Sequence, residues 1–298
     1  MKHVFILNPF AGKKDSETYM GLISEYFSTH GGEYRILTTE YPGHASELAA
    51  GYTAEEDVCV YAFGGDGTAY EVLNGLNDGV AMALIPNGTG NDYFRKIMKE
   101  KGSIADILTS TIEGKTVNVD YGIVNNRKYL NSASMGLDAD VVDLVNDIGK
   151  RYPIPKGMVY GVSALIKVVN PRPHSFRIQI DEKVFEQKAL LIAVMNGSYY
   201  GGGFMPTPDA SLQDGVLDVV IADDMKLPRI IQLLPKYMKG KHVGLKGVNC
   251  CRAQKVILDC DEDVLYQFDG EVRREKHIEF TLVKGGLRLR VPTSALLQ

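Results

Sequence analysis

Through about the first 120 residues, short apolar or β-branched runs alternate with stretches of helical periodicity. Val4–Leu7, Tyr34–Thr38, Val58–Phe63 and Ala81–Ile85 read as strands. Between the first two, Tyr19, Leu22, Ile23, Tyr26 and Phe27 recur at helical spacing, with Asp15 or Ser16 as N-cap and Gly31-Gly32 as a stop. Strands separated by helices need crossover connections, which are right-handed and lay the strands parallel. Helices then cover both faces of an open sheet. Ligands of such sheets bind at the carboxyl ends of the strands.

From Lys115 onward the pattern changes. Thr116–Val124, Phe176–Ile180, Ala189–Met195, Val216–Ala222, Val256–Leu258, Val264–Phe268, Ile278–Val283 and Leu287–Val291 read as strands, many joined by turns containing Gly or Asp. Helical periodicity persists at Ala139–Ile148, Val159–Val169 and Leu227–Met238. The expected organisation is an α/β N-terminal domain with an open, mostly parallel sheet over residues 1–120, completed by about 290–298. A mainly antiparallel β domain would span 121–289. The 298 residues suffice for two domains with sizeable cores.

Composition excludes several classes. Aliphatic residues are plentiful and charges are mixed in sign, which argues against disorder. A net charge of −4 offers no overall field for phosphate backbones, so nucleic acid is not an expected partner. Cys59, Cys250, Cys251 and Cys260 form no C-x-x-C pair, and neighbours 250 and 251 would point to opposite faces of a strand. A reduced compartment is expected. The apolar run Val4–Leu7 is too short for a signal peptide, and no run approaches the ~20 residues of a bilayer span. The expected location is the cytoplasm.

Four polar segments stand at strand ends in the first domain. Asn8-Pro9-Phe10-Ala11-Gly12 follows the first strand, and Thr38-Thr39 with Gly43 follows the second. Gly64-Gly65-Asp66-Gly67-Thr68 follows the third and runs into a helix carrying Glu71, and Pro86–Asp92 follows the fourth. Each alone reads equally well as a tight turn. Together, on one rim, they point to a phosphate or nucleotide site, because glycine-rich strand–helix turns bring backbone N–H groups and a helix dipole up to an anion. Neither G-x-x-x-x-G-K-[ST] nor G-x-G-x-x-G occurs. With no lysine in Gly64–Thr68, amides and a metal ion would offset phosphate charge, and Asp66 would orient that ion or its waters.

The loop GGDGT (Gly64–Thr68) with Glu71, followed by PNGTGNDYFR (Pro86–Arg95), resembles the catalytic domain of the diacylglycerol kinase and lipid kinase family. NPFAGKK (Asn8–Lys14), NSASMGLDADVV (Asn131–Val142), GGGFMPTPDASLQDGVLDVVIA (Gly201–Ala222) and QFDGE (Gln267–Glu271) extend the resemblance over nearly the whole chain. GGDGT alone is shared with NAD kinases; its combination with GTGND and a later DGE is specific to the lipid kinase branch. The resemblance implies ATP-dependent phosphorylation of a lipid hydroxyl, most simply diacylglycerol to phosphatidic acid. It implies nucleotide contacts at Asn8, Pro9, Phe10, Ala11, Gly12, Thr39, Gly64, Gly65, Asp66, Gly67, Thr68, Ala69, Tyr70, Glu71 and Thr89. It implies Mg²⁺ at the Asp214 carboxylate with oxygens of Ser211 and Val216, although Asp214-Gly215 reads equally as a hairpin turn. Tyr70 stands where the family commonly shows Asn.

The catalytic set implied is Asp66, Asp269 and Glu271. Asp269 and Glu271 would share one side of an extended strand, a geometry that a turn at Gly270 would break. Glu271 is favoured as general base, with Asp269 as partner or alternate. Gly202-Gly203 and Phe204 suggest a lid or substrate edge.

Two windows lack acidic residues. Between Asp147 and Asp181 lie Lys150, Arg151, Lys156, Lys167, Arg172 and Arg177. Between Asp224 and Asp259 lie Lys226, Arg229, Lys236, Lys239, Lys241, Lys246, Arg252 and Lys255, interleaved with Leu227, Ile230, Ile231, Leu233, Leu234 and Met238. Such a segment suits transient peripheral contact with an anionic membrane surface at the inner face, and equally an ordinary helix with one side on a core. Pro228 and Pro235 are expected to interrupt it as a regular helix. Of six scattered histidines only His44 lies near the nucleotide rim. An exposed sheet edge would let a second copy pair as a homodimer. Two rival functions share these features: a soluble small-molecule kinase of the NAD kinase type, and a nucleotide- or lipid-binding protein without catalysis.

Overall fold

A computed structural model of the chain describes residues 1–12, 16–98, 102–151, 167–169 and 171–297. Lys13, Lys14, Lys156 and most of the helix expected over Val159–Val169 lie outside the described residues. The chain divides into two compact units. One comprises Met1–Tyr121, Leu212–Asp214 and Val283–Gln298; the other comprises Gly122–Ser211 and Gly215–Leu282.

The first unit runs β1 (Lys2–Leu7), α1 (Ser16–His30), β2 (Tyr34–Thr38), α2 (His44–Ala49), β3 (Val58–Gly64), α3 (Asp66–Gly75), β4 (Ala81–Pro86), α4 (Asp92–Ile97), α5 (Ile104–Ile112) and the start of β5 (Lys115–Val124). The strand order β2-β1-β3-β4 is parallel throughout, and Arg288–Arg290 pair in parallel on the outer side of β4. Phe5, Leu7, Tyr61, Phe63 and Ile85 pack against Tyr19, Ile23 and Phe27 of α1 and Leu108 and Ile112 of α5. The alternate residues Val4, Ile6, Val60, Met82 and Leu84 are buried too, as expected of parallel strands covered on both faces. The terminal residues fasten onto α5. Arg290 Nε donates to the carbonyls of Thr111 at 3.1 Å and Ile112 at 3.2 Å, and Thr293 N–H donates to Ser110 O at 3.0 Å.

The second unit contains β6 (Arg127–Tyr129), β7 (Ser132–Gly136), α6 (Leu137–Arg151), β8 (His174–Ile180), β9 (Lys183–Met195), β10 (Leu217–Asp223), α7 (Leu227–Met238), β11 (Val248–Ala253), β12 (Lys255–Phe268) and most of β13 (Glu271–Val291). Its strands follow the order β11-β10-β9-β7-β12-β13 in antiparallel pairs, with β8 joined to both β9 and β12.

Three expectations need correction. Val256–Leu258 and Val264–Phe268 belong to one strand, β12. The acidic run Asp259–Asp263 interrupts the apolar pattern, but the backbone accommodates it as a register shift opposite β13. Ile278–Val283 and Leu287–Val291 likewise fall within the 21 residues of β13. Prolines 228 and 235 do not break α7. Pro228 occupies the first turn, where its missing N–H has no intrahelical acceptor to lose. Pro235 releases the carbonyl of Ile231, whose side is solvent-facing at 58% exposure, so water can take the lost bond.

Candidate active site

The carboxyl ends of β1, β3 and β4 carry three loops that are bonded to one another. Asn8 N–H donates to Phe63 O at 3.0 Å, and Asn8 Nδ2 donates to Thr68 Oγ1 at 3.0 Å. Asn8 Oδ1 accepts the Phe10 N–H at 3.0 Å, leaving the Phe10 ring 82% exposed. Asn87, inside the Pro86–Asp92 segment but not among the individually named nucleotide contacts, joins the third loop to the first. Its N–H donates to Gly64 O at 2.7 Å, its Nδ2 donates to Ala11 O at 3.0 Å, and its Oδ1 accepts the Tyr19 hydroxyl at 2.7 Å.

Glycine is required where these loops touch. A Cβ on Gly88 would lie 2.5 Å from Gly65 Cα, and one on Gly64 would lie 2.3 Å from Thr68 Oγ1. The result is a rim of backbone with a glycine, Gly67, opening onto free space. Thr39 is buried and its N–H donates to Leu7 O at 2.9 Å, while Thr89 is exposed. Pro9 is half-buried and Gly12 exposed with φ +87°. Ala69 and Tyr70 are buried on α3.

Two carboxylates of α3 face other helices. Asp66 accepts hydrogen bonds from the backbone of Asn91, Asp92 and Tyr93 at the start of α4. Burial first, and the Asp92 carboxylate second, raise its pKa to about 6. Glu71 turns to the start of α2, accepting N–H bonds from Gly43 at 2.9 Å and Ala45 at 3.2 Å. Beside it His44 stacks on Tyr41 with ring centroids 4.5 Å apart, and its Nδ1 accepts the Glu40 N–H at 3.1 Å.

Asp214 is exposed, and Ser211 and Val216 are half-buried. The hairpin turn expected at Asp214-Gly215 is instead a bend ahead of β10, with Gly215 at φ +79°, since the preceding strand ends at Met195. Ser211 and Val216 belong to the second unit and Asp214 to the first. One carboxylate with neutral oxygens is the chemistry that would suit a hard cation such as Mg²⁺ that keeps several waters. Among the described residues no three His, Cys, Asp or Glu side chains cluster as metal ligands. Asp120, which sequence reasoning passed over, is buried next to this bend. Its N–H donates to Leu212 O at 2.7 Å and its Oδ1 accepts the Gly285 N–H at 2.7 Å.

In the second unit, Asp269 and Glu271 do not share a strand face. Asp269 (φ +46°) and Gly270 (φ +94°) form a two-residue left-handed turn between β12 and β13, with Phe268 paired to Glu271. The Asp269 carboxylate accepts N–H bonds from Leu130 at 2.6 Å, Asn131 at 3.1 Å and Ser132 at 3.0 Å. Glu271 stays 45% exposed, with Arg273 Nη2 at 3.8 Å. One carboxylate holds the turn; the other is presented by it.

The same unit contains a largely apolar pocket of about 90 Å³, whose wall includes Phe204, expected from the sequence as a lid or substrate edge. Val141, Leu190, Phe204, Met225, Ile230 and Leu233 line it, with the Tyr200 and Tyr237 hydroxyls bonded to each other at 3.0 Å. Asp138 and His242 are its charged-type residues, and burial lowers the His242 pKa against the pull of nearby Pro206 and Lys236 carbonyls. Gly201, Gly202 and Gly203 all take positive φ and turn Phe204 into this wall, its N–H bonded to Tyr200 O at 2.9 Å.

The family model of the diacylglycerol kinase catalytic domain matches residues 2–124, and that of the YegS C-terminal NAD kinase beta sandwich-like domain matches residues 131–291. The diacylglycerol kinase of Mycobacterium tuberculosis (strain ATCC 25618 / H37Rv) is 31% identical over 261 residues, covering 83% of this chain and 81% of that protein. The diacylglycerol kinase of Bacillus subtilis (strain 168) is 27% identical over 270 residues, covering 89% and 88%. Among solved structures, a diacylglycerol kinase of Bacillus anthracis str. Sterne superposes with TM-score 0.75 at 21% identity over 99% of this chain and 98% of that one. An NAD kinase of Archaeoglobus fulgidus in complex with ATP superposes with TM-score 0.54 at 11% identity over 98% and 94%. At these identities the two structures show the fold alone: an α/β unit and an antiparallel β unit of the NAD kinase-like type.

Proposed function

The chain belongs to the diacylglycerol kinase-like lipid kinase family and is a phosphotransferase with an alcohol acceptor, and from that premise we propose that it moves the γ-phosphate of ATP to the free hydroxyl of diacylglycerol, giving phosphatidic acid. The observation that carries the lipid acceptor is the apolar pocket of the second unit, because a soluble acceptor such as NAD has no use for a wall of aliphatic and aromatic side chains.

In this reading the glycine-rich rim at Asn8–Gly12, Thr39, Gly64–Glu71 and Thr89 receives the nucleotide, its amides facing phosphate oxygens. Asn8, Thr68 and Asn87 fix the loops relative to one another. Glu71 acts at one remove, by setting the start of α2. Mg²⁺ held by Asp214 with Ser211 and Val216 would offset negative charge, and Asp66 is the carboxylate of the rim itself. Glu271 accepts the proton of the lipid hydroxyl as that oxygen bonds to the γ-phosphorus and ADP leaves. Asp269 serves by holding the turn.

The lipid reaches the pocket from a bilayer. Ile231, Met238 and Val243 are exposed at 58%, 43% and 51% on or just beyond α7, while the same helix turns Ile230, Leu233 and Tyr237 inward. Lys226, Lys236, Lys239, Lys241 and Lys246 are exposed around them. That combination suits the anionic inner leaflet, each lysine near the surface contributing about 1 kcal/mol. Among the described residues no helix is long and apolar enough to cross a membrane.

The test is transfer of labelled γ-phosphate in mixed micelles to diacylglycerol, phosphatidylglycerol, a sphingoid base and soluble NAD. Label in diacylglycerol, lost in Glu271→Ala, supports the proposal. Label in another lipid changes the acceptor, and label in NAD alone overturns the lipid reading.

A further inference from the structure

The pocket and the Asp269–Glu271 hairpin are joined by a buried polar chain. Asp138 lines the pocket from the first turn of α6 and is 7% exposed. Its Oδ2 accepts hydrogen bonds from Ser134 Oγ and from Gln267 Nε2, the latter at 3.2 Å. Gln267 Nε2 also donates to Ser134 Oγ at 2.8 Å, and Gln267 Oε1 accepts the Gly270 N–H at 3.2 Å. Gln267 is 3% exposed and Ser134 fully buried, so water does not compete for these bonds. On the pocket side, the charge of Asp138 is felt at the Tyr237 hydroxyl, itself bonded to Tyr200.

The chain has no slack. Asp138 is fixed by the start of α6, where Gly136 at φ +79° brings the backbone so close to Leu190 that a Cβ would lie 2.4 Å from its carbonyl oxygen. Leu190 lines the pocket as well. A long aliphatic chain that fills the pocket therefore bears on the two elements that place Asp138, while the far end of the polar chain holds the turn presenting Glu271. We infer that Asp138 and Gln267 are positioning residues through which an occupied tail pocket sets the Asp269–Gly270–Glu271 hairpin. Phosphate then goes to an acceptor whose hydrocarbon is seated, rather than to water. This rests on the lipid-kinase reading for its purpose, but the coupling is measurable without turnover.

The experiment is hydrogen exchange of the full chain, with and without dioctanoylglycerol below its micellar concentration, read at residues 267–272. Wild-type protein should show about tenfold slower exchange at the hairpin when the probe is bound. Asp138→Leu and Gln267→Met should still bind the probe but lose that protection, and Asp138→Asn, which keeps an acceptor oxygen for Ser134 and Gln267, should retain most of it. In parallel, kcat for lipid should fall about tenfold in Asp138→Leu and recover in Asp138→Asn, with KM for ATP unchanged. Equal protection in all variants, or none in wild type with probe bound, overturns the inference. Protection that follows this pattern in a protein transferring no phosphate to any lipid leaves the coupling standing and sinks the lipid-kinase reading. Should Asp138→Leu fail to fold, the wild-type and Asp138→Asn pair with Gln267→Met decides the matter.

Discussion

Asp66 shows how burial changes what one carboxylate does. Its pKa is held at about 6 against an ordinary carboxyl value of 3.8, so the folded chain binds this proton more tightly than the unfolded one. The associated stability is complete below the unfolded pKa and is lost as the pH rises through about 6. Asp66→Asn should therefore stabilise the protein at pH 8 by up to about 3 kcal/mol, with the gain vanishing toward pH 4. Urea unfolding at the two pH values measures it, and an equal gain at both would remove ionisation as the cause. The same variant should lower phosphate transfer about 100-fold. The acidic pair separates along similar lines. Glu271→Gln is expected to lower kcat by about 10²–10⁴-fold with the melting temperature unchanged. Asp269→Asn weakens three amide bonds to a charged acceptor and should cost about 2 kcal/mol of stability. The DGE motif and the possibility of a turn at Gly270 were legible in the sequence; the three amide bonds to the Asp269 carboxylate were not, because their donors lie at residues 130–132, some 140 positions away.

At the level of elements, α3 is the member that organises its neighbours, with Asp66 turned to α4 and Glu71 to α2. Gly75, at its end, lets α2 approach so closely that a Cβ there would lie 2.0 Å from Ser46 O. Glu71→Ala should cost about 1–2 kcal/mol and raise KM for ATP, while Glu71→Gln restores most of both, as denaturation and steady-state kinetics would show. For α7, reversing Lys236, Lys239 and Lys241 to glutamate should abolish sedimentation with anionic vesicles without shifting the melting temperature. Retained binding would refute the docking face. The central parallel strands β1, β3 and β4 were readable because each carries a continuous apolar run. β7 was not, because Ser132-Ala133-Ser134-Met135-Gly136 are small residues of weak strand preference, buried only because β9 and β12 flank them. The apolar pocket was readable only at Phe204, because the rest of its lining is drawn from positions between 137 and 248 that periodicity cannot bring together.

For the molecule as a whole, the decisive fact is that neither unit is a continuous stretch of sequence. Residues 1–121 expressed alone should leave β4 with an open edge and α5 without the Arg290 bonds at its end, and should behave as a loosely packed, aggregation-prone species. Supplying a peptide of residues 283–298 should sharpen its unfolding transition; a fragment already cooperative without the peptide would contradict this. The sequence placed such a return at about 290–298, whereas it begins at Val283, since Leu287–Val291 looks like any other strand until its partner is known.

The strand from Glu271 to Val291 also has a consequence for how the protein is made. Arg288 bonds to the carbonyl of Gly79, 209 residues earlier. During synthesis the parallel sheet of the first unit must wait, incomplete, until almost all of the second unit has emerged. A chain that stops early is left with this sheet edge open, and the late closure of so long a loop makes this step the expected bottleneck of folding.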